Sequence, residues 1–224
     1  MNRSFHFSVG EYYHIYNRGV DKRETFLDSL DYERFILALV NANNKETCHI
    51  GNIKKQLKGE YKGIETCLAL REVTLVDIGA WCLMPNHFHL LVKEKEEGGV
   101  VKFMQRLETG YTMYFNKKNE RTGSLFQGTF KAEHAHNDNY LKYLFSYIHL
   151  NPVKLIQSDW KEKGIKDINK TLNFLAKFYR SSYLDHLDVD RLEKGIINKD
   201  AFPDYFPDKD SFKKEIFDWL KLEH

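Results

Sequence analysis

The chain has 224 residues with 34 Lys and Arg against 32 Asp and Glu, a net charge of +2 that supplies no overall field for a polyanion and leaves any such partner to local clusters. With 42% hydrophobic and 14% aromatic residues it can build a packed core and does not read as disordered, and no apolar run approaches the ~18 residues of a membrane span. Cys48, Cys67 and Cys82 are odd in number and lack Cys-x-x-Cys spacing, which argues against a disulfide framework or zinc cluster and fits a reducing cytoplasm; Met1 to Phe7 carry no apolar signal-peptide core.

Glu11 to Gly19 predicts an aromatic-rich first strand closed by a glycine turn, with Tyr12, His14 and Tyr16 on one face and Arg18, Lys22 and Arg23 at its end. Asp28 or Ser29 can cap a helix in which Tyr32, Phe35, Ile36, Leu39 and Val40 recur at helical spacing, to about Asn43. From about 44 to 72 the periodicity breaks, and Lys54, Lys55 and Lys58 form a small basic cluster; this stretch reads as an insertion with a solvated charged face. Val73 to Leu83 is β-rich, and Met84-Pro85-Asn86 turns the chain into a second strand, His87 to Val92.

That strand carries a His-x-His. Side chains alternate along a strand, so His87 and His89 share a face while Phe88 takes the other. Their Cα atoms stand about 7 Å apart, two strand steps, and both imidazoles can converge on one divalent cation. Two polar residues between apolar runs need partners if they are buried. Gly98-Gly99 then opens a second helix with Val100, Phe103, Met104, Leu107, Tyr111, Tyr114 and Phe115 toward the core, ending near Asn116. Lys117, Lys118 and Arg121 at its end suit the helix dipole and need no ligand. Gly123 to His136 predicts a further strand ending in a second pair, His134 and His136, which lies beside the turn Asn137-Asp138-Asn139 where histidines can be solvated.

Asp138 or Asn139 is expected to cap a helix from Tyr140 to about Leu150, stopped by Pro152. Tyr143, Tyr147 and Asn151 fall on one face of it at four-residue spacing, a hydroxyl and a neutral carboxamide one turn apart. The order strand, helix, strand, strand, helix, strand, helix predicts an α+β fold, a ferredoxin-like βαββαβ sheet with one added helix. Beyond Lys154, Leu172, Phe174, Leu175, Phe178 and Tyr179 look helical, Phe202 to Pro207 reads as a kinked linker, and Phe212, Ile216, Trp219 and Leu220 mark a last amphipathic helix. The chain therefore divides into a core over 1–156 and a helical extension over 157–224, packed on the core or touching a ligand.

Met84-Pro85-Asn86-His87-Phe88-His89-Leu90-Leu91-Val92, followed by Tyr147-Ile148-His149-Leu150-Asn151-Pro152-Val153-Lys154, closely resembles the HUH-type single-tyrosine transposases, and most of all their REP-associated branch. Tyr13 to Gly19 and Gly123 to Gly128 fit the same branch, so the resemblance spans about 11–156. It implies a ferredoxin-like fold in which His87 and His89 ligate a divalent metal, Mg²⁺ or Mn²⁺. It makes Tyr147 the nucleophile and puts Asn151 in the place of a third, helix-borne ligand that is often Gln elsewhere. Asn is shorter, and a residue before proline is biased away from helix. The substrate implied is single-stranded DNA, often beside a hairpin, cleaved and transferred through a 5′-phosphotyrosine link in DNA transposition.

Two imidazoles and a carboxamide leave the full charge of the ion facing a phosphate. A phenol of pKa ~10 is mostly protonated at neutral pH, and nearby cations favour its phenolate. Tyr16, Arg18, Lys22 and Arg23, with Lys142 and Lys154, are expected to contact DNA by stacking and phosphate binding. A cytoplasmic, nucleoid-associated protein, monomeric or homodimeric, fits this reading. Two others remain open: a domesticated hairpin-DNA binding module without turnover, and another HUH nicking enzyme, a relaxase or replication initiator. Those enzymes often use two tyrosines, and Tyr143 is the second one here.

Overall fold

The computed structural model describes residues 6–46, 50–57 and 60–221. Its core is a four-stranded sheet of β1 (Tyr12–Arg18), β2 (Val76–Met84), β3 (His87–Glu94) and β4 (Lys131–His134), in the spatial order β2-β3-β1-β4. All three neighbouring pairs are antiparallel. Two βαβ units, each split by a strand of the other, produce this order, which is the expected ferredoxin-like arrangement. α1 (Ser29–Ala42) joins β1 to β2, with α2 (Ile50–Leu57) and α3 (Ile64–Ala69) inserted before β2, and α4 (Gly99–Lys118) joins β3 to β4. The expected insertion therefore contains two short helices. Lys54 and Lys55 fall on α2, while Cys48 and Lys58 lie outside the described residues.

Strand periodicity divides the interior into two layers. Tyr13 and Ile15 of β1, with Phe88, Leu90 and Val92 of β3, face α1 and α4, where they meet Phe35, Leu39, Phe103, Leu107 and Tyr111. Leu91 of β3 and Ala80, Cys82 and Met84 of β2 face the other way, onto Leu141, Leu144, Phe145 and Ile148 of α5 (Asp138–Leu150). His87 and His89 share this second face, between sheet and α5. Burial of the apolar partners on both sides locks the register, because a one-residue slip would turn both histidines into the α1/α4 core.

Two local expectations change. The strand after Gly123 shrinks to four residues, because Gly123 and Gly128 both take positive φ and hold 123–130 in irregular turns. α5 is capped by Asn137, whose side chain accepts the Tyr140 N–H at 2.8 Å, and not by Asp138 or Asn139. Beyond α5 the chain continues as a 3₁₀ turn over Asn151–Leu155, with Pro152 in its first turn, where a missing N–H costs nothing.

The remaining helices are α6 (Trp160–Lys163), α7 (Ile168–Leu175), α8 (Tyr183–His186) and α9 (Lys209–Lys221). The helix expected to include Phe178 and Tyr179 ends at Leu175. Leu150 and Val153 bury with Trp160, Leu175, Tyr183, Phe212, Ile216 and Leu220, so the segment after 156 shares a core with the end of α5. Residues 180–182 run along β2: Leu83 N–H donates to Arg180 O at 2.9 Å and Ser182 N–H to Trp81 O at 2.9 Å. Phe202 lies flat on β2 at Gly79, where an added Cβ would sit 2.7 Å from the ring. The same glycine marks a shift in the β2–β3 register.

Candidate active site

β3 presents His87 and His89 side by side, their ring centroids 5.1 Å apart and their planes perpendicular. Each has its Nδ1 engaged. His87 Nδ1 lies 2.6 Å from Asn86 Oδ1, an acceptor, so this nitrogen carries the proton. His89 Nδ1 lies 2.9 Å from Nε2 of His14, which β1 places alongside. Once His89 donates this bond, both pairs of electrons on the Nε2 atoms of His87 and His89 are free. Anchoring one ring nitrogen to orient the other is the arrangement seen around metal-bound histidines.

The His14–His89 bond extends outward. When His14 Nε2 accepts, its Nδ1 bears the proton, and the Glu133 carboxylate stands 3.9 Å from that atom. β4 places Glu133 directly opposite His14, and Glu133 also accepts from Tyr16 at 2.8 Å and from Tyr140 at 2.9 Å. Burial holds the pKa of His14 and of His87 down to about 4, and keeps His89 well below its ordinary value. Lys154 and Arg18 add to the effect at His87, and His14, His87, Lys154 and Lys161 add to it at His89. The imidazoles are accordingly neutral near pH 7, the state in which they bind cations.

α5 brings Tyr147 to this face. Its ring is 5.7 Å from that of His89 and 5.6 Å from that of His14, edge-on to both. The phenol is held above its ordinary pKa, first by burial and then by the charge of Glu133, with the Asn151 amide opposing. The basic neighbours that were expected to favour the phenolate do not outweigh burial in the chain alone. Asn151 follows one turn later in the right-handed helical region, φ −52° and ψ −41°, contrary to the bias expected before proline. The 3₁₀ turn that begins there holds it. Its Nδ2 donates to the Tyr147 carbonyl at 2.9 Å, so Oδ1 is the end of the amide left for a ligand.

A cleft of about 380 Å³ opens here between His14, Tyr16, His89, Glu133, Tyr143 and Tyr147. A cavity of about 1,050 Å³ between α1, α2 and α4 is larger, but it lies across the sheet and contains none of these groups. Among the described residues, no set of three or more His, Cys, Asp and Glu side chains is disposed to hold a metal. His87 and His89 are the neutral nitrogen donors that this face presents together.

The other expected residues divide. Tyr16 lines the cleft, the charge of exposed Lys154 reaches His87 and His89, and Arg18 sits opposite His87 in the strand register with its Nε donating to Gln127 at 2.6 Å. Lys22 and Arg23 are exposed in the loop beside the Pro85-Asn86 turn, where Asn86 Nδ2 donates to the Lys22 carbonyl at 3.0 Å. Lys142 is engaged with Glu215 of α9 at 2.8 Å. The second histidine pair does not converge: His134 faces Glu11 at 2.7 Å, while His136 is exposed past the strand end. Two members of the site had no role predicted: Glu133 carries no motif signal, and His14 lies within the Tyr13 to Gly19 stretch that fits the resembled branch but was assigned no part in the site. Only the registers of β1 with β3 and β4 assemble them.

The molecule is thus an α+β protein with two strand-borne imidazoles facing a tyrosine on an added helix. Residues 38–151 match the family model described as "Transposase IS200 like", and the chain belongs to that family. A solved structure described as "Structure of the REP associates tyrosine transposase bound to a REP hairpin" is 14% identical, with 86% of this chain and 89% of that one covered and a TM-score of 0.47. No curated protein matches. Among the described residues, no helix is long and apolar enough to cross a membrane.

Proposed function

We propose that this chain cleaves and rejoins single-stranded DNA through a covalent bond to Tyr147. The observation that carries the reading is the approach of the Tyr147 ring to within 5.7 Å of His89 on the face that also presents His87. In the forward step the Tyr147 oxygen bonds to the scissile phosphorus and the bond from phosphorus to the 3′-oxygen breaks. The phenol gives up its proton and the departing 3′-oxygen gains one. The product is a 5′-phosphotyrosine and a free 3′-hydroxyl. Because the phosphodiester energy is retained, a 3′-hydroxyl can reverse the step and join strands without ATP.

His87, His89 and the Asn151 amide would hold Mg²⁺ or Mn²⁺, which when bound supplies a Lewis acid for the scissile phosphate. The protein does the rest. Asn86 and His14 orient the two imidazoles, and the 3₁₀ turn fixes Asn151 one turn from the nucleophile. Tyr16, Arg18 and Lys154 line the approach with one aromatic face and two charges, suited to an unpaired strand. Hairpin DNA beside the cleaved strand is the partner this reading favours.

The test is a single-stranded oligonucleotide carrying a suicide linkage, incubated with and without Mn²⁺, with the modified residue mapped by mass spectrometry. We expect an adduct on Tyr147 only with the ion, and none from Tyr147→Phe, which still binds the oligonucleotide. An adduct formed by Tyr147→Phe overturns the assignment and points to Tyr143. Binding of the oligonucleotide without any adduct, with or without the ion, would select a binding module without turnover.

A further inference from the structure

Tyr147 is a wall between two cavities. On one side is the cleft with His89. On the other is an open slot of about 200 Å³ lined by Tyr143, Tyr147, Leu150, Trp160, Lys161 and Trp219. The slot exists only because the C-terminal segment folds back: α6 supplies Trp160 and Lys161, and α9 supplies Trp219. The Lys142–Glu215 ion pair ties α9 to α5 beside it. From these positions we infer that the slot receives one unpaired nucleobase, that of a nucleotide next to the phosphate attacked by Tyr147. The inference rests on the function proposed above and extends it to a subsite.

Size, chemistry and position each bear on it. The volume is below the ~300–1,000 Å³ of sites for drug-sized ligands and suits a single ring system. Four of the six lining side chains are aromatic. Trp219 and Tyr143 have ring centroids 5.0 Å apart at 54°, and Tyr143 and Tyr147 are 5.7 Å apart. Aromatic faces accept any base by stacking, which is how unpaired strands are held without reading their sequence.

Lys161 adds the charge. Its Nζ sits 4.4 Å from the centre of the Tyr147 ring and 5.7 Å from that of Trp160, and among the described residues it forms no salt bridge. Burial and the nearby Lys154 hold its pKa below the ordinary lysine value. A half-buried ammonium resting on ring faces, with no salt bridge among the described residues and only the through-space charge of Glu162 beside it, is matched by a phosphate. An occupant that brings a ring to the slot and an anion to its mouth, at the nucleophile, is a nucleotide within a strand.

The experiment uses the oligonucleotide to which wild-type protein attaches, with the joint mapped. Each nucleotide near the joint is replaced in turn by an abasic sugar, and affinity is measured by fluorescence anisotropy in the Tyr147→Phe background, which keeps the ring. We expect one position within two nucleotides of the joint to lose about tenfold in affinity when its base is removed. Adding Trp219→Leu should weaken the intact strand to the abasic level and abolish that difference, while Trp219→Phe should preserve it.

As a second measurement independent of the leucine variant's folding, 2-aminopurine at the same position should be quenched on binding. An abasic penalty unchanged by a folded Trp219→Leu, or no position at which 2-aminopurine is quenched, overturns the subsite. If wild-type protein forms the adduct in either case, the strand-transfer reading stands without it. Absence of both adduct and binding removes the reading and the subsite together.

Discussion

His14 shows how a residue can matter through its neighbour. Its Nε2 is the partner of His89 Nδ1, and Glu133 stands behind it. Replacing it by Phe keeps the ring volume and removes the acceptor, so His89 is free to rotate and to change tautomer. Loss of an anchoring partner of this kind lowers metal affinity by roughly 10–100-fold. We therefore expect His14→Phe to weaken Mn²⁺ binding by that factor in calorimetry, while the metal-free protein still unfolds cooperatively at a somewhat lower midpoint because the buried His89 N–H loses its acceptor. Equal affinity in the variant and the parent would remove His14 from the site.

At this scale the sequence was most legible where the chemistry is contiguous. The spacing of His87 and His89, and of Tyr147 and Asn151, is set within one element, so local periodicity predicts which face each takes. Glu133 was not legible, and for His14 only its face of the first strand was, because the two meet only through a pairing between strands over a hundred residues apart in the chain. Lys161 and Trp219 were hidden for the same reason, since their positions depend on how the C-terminal segment returns to α5.

Among the elements, β2 and α8 depend on one another through Gly79 and His186. Gly79→Ala drives a Cβ into the Phe202 ring, and such overpacking costs about 1–3 kcal/mol. Urea unfolding should show that loss, and Phe202→Leu in the same chain should recover part of it. His186 donates from Nε2 to the Gly79 carbonyl at 2.9 Å, and burial depresses its pKa to about 4. The unfolded chain has the ordinary value near ~6.5, so it takes up the proton first as pH falls.

The stabilisation tied to neutral His186 is thus complete above about pH 6.5 and declines as pH drops toward 4, by ~3 kcal/mol in all. His14, His87, His89 and His149 are depressed in the same direction, so the acid limb should be steep. Replacing His186 by Asn should reduce the slope of unfolding free energy against pH by about one proton in that range. An unchanged slope would place the proton uptake on the other histidines. Helix periodicity predicted α1, α4, α5 and α9 well because each has one buried stripe. The strand reading failed for 123–130 and the helical one for Phe178 and Tyr179, where glycine turns and tertiary contacts, not repeating side chains, set the path.

For the whole molecule, Tyr147 and the paired imidazoles meet within one chain. The contacts between Tyr147, His14 and His89 need no second copy. A mixture of Tyr147→Phe chains with His89→Ala chains should therefore form no adduct, since each molecule lacks half of its own site. Recovery of the adduct on mixing would show that α5 is exchanged between copies. The sequence division near 156 marks a change of composition, but burial runs across it: Leu150 and Val153 share a core with Phe212 and Leu220. Removing the segment after 156 would strip one side of the helix that carries Tyr147.

The strip 180–182 has a last consequence, for crowding and self-association. A sheet spreads from molecule to molecule only when both of its margins are bare, and here Trp81 to Leu83 of the β2 margin are already paired with the chain's own backbone. Copies that zip through the four-residue rim of β4, the same rim on each, close on themselves as a pair and propagate no fibre.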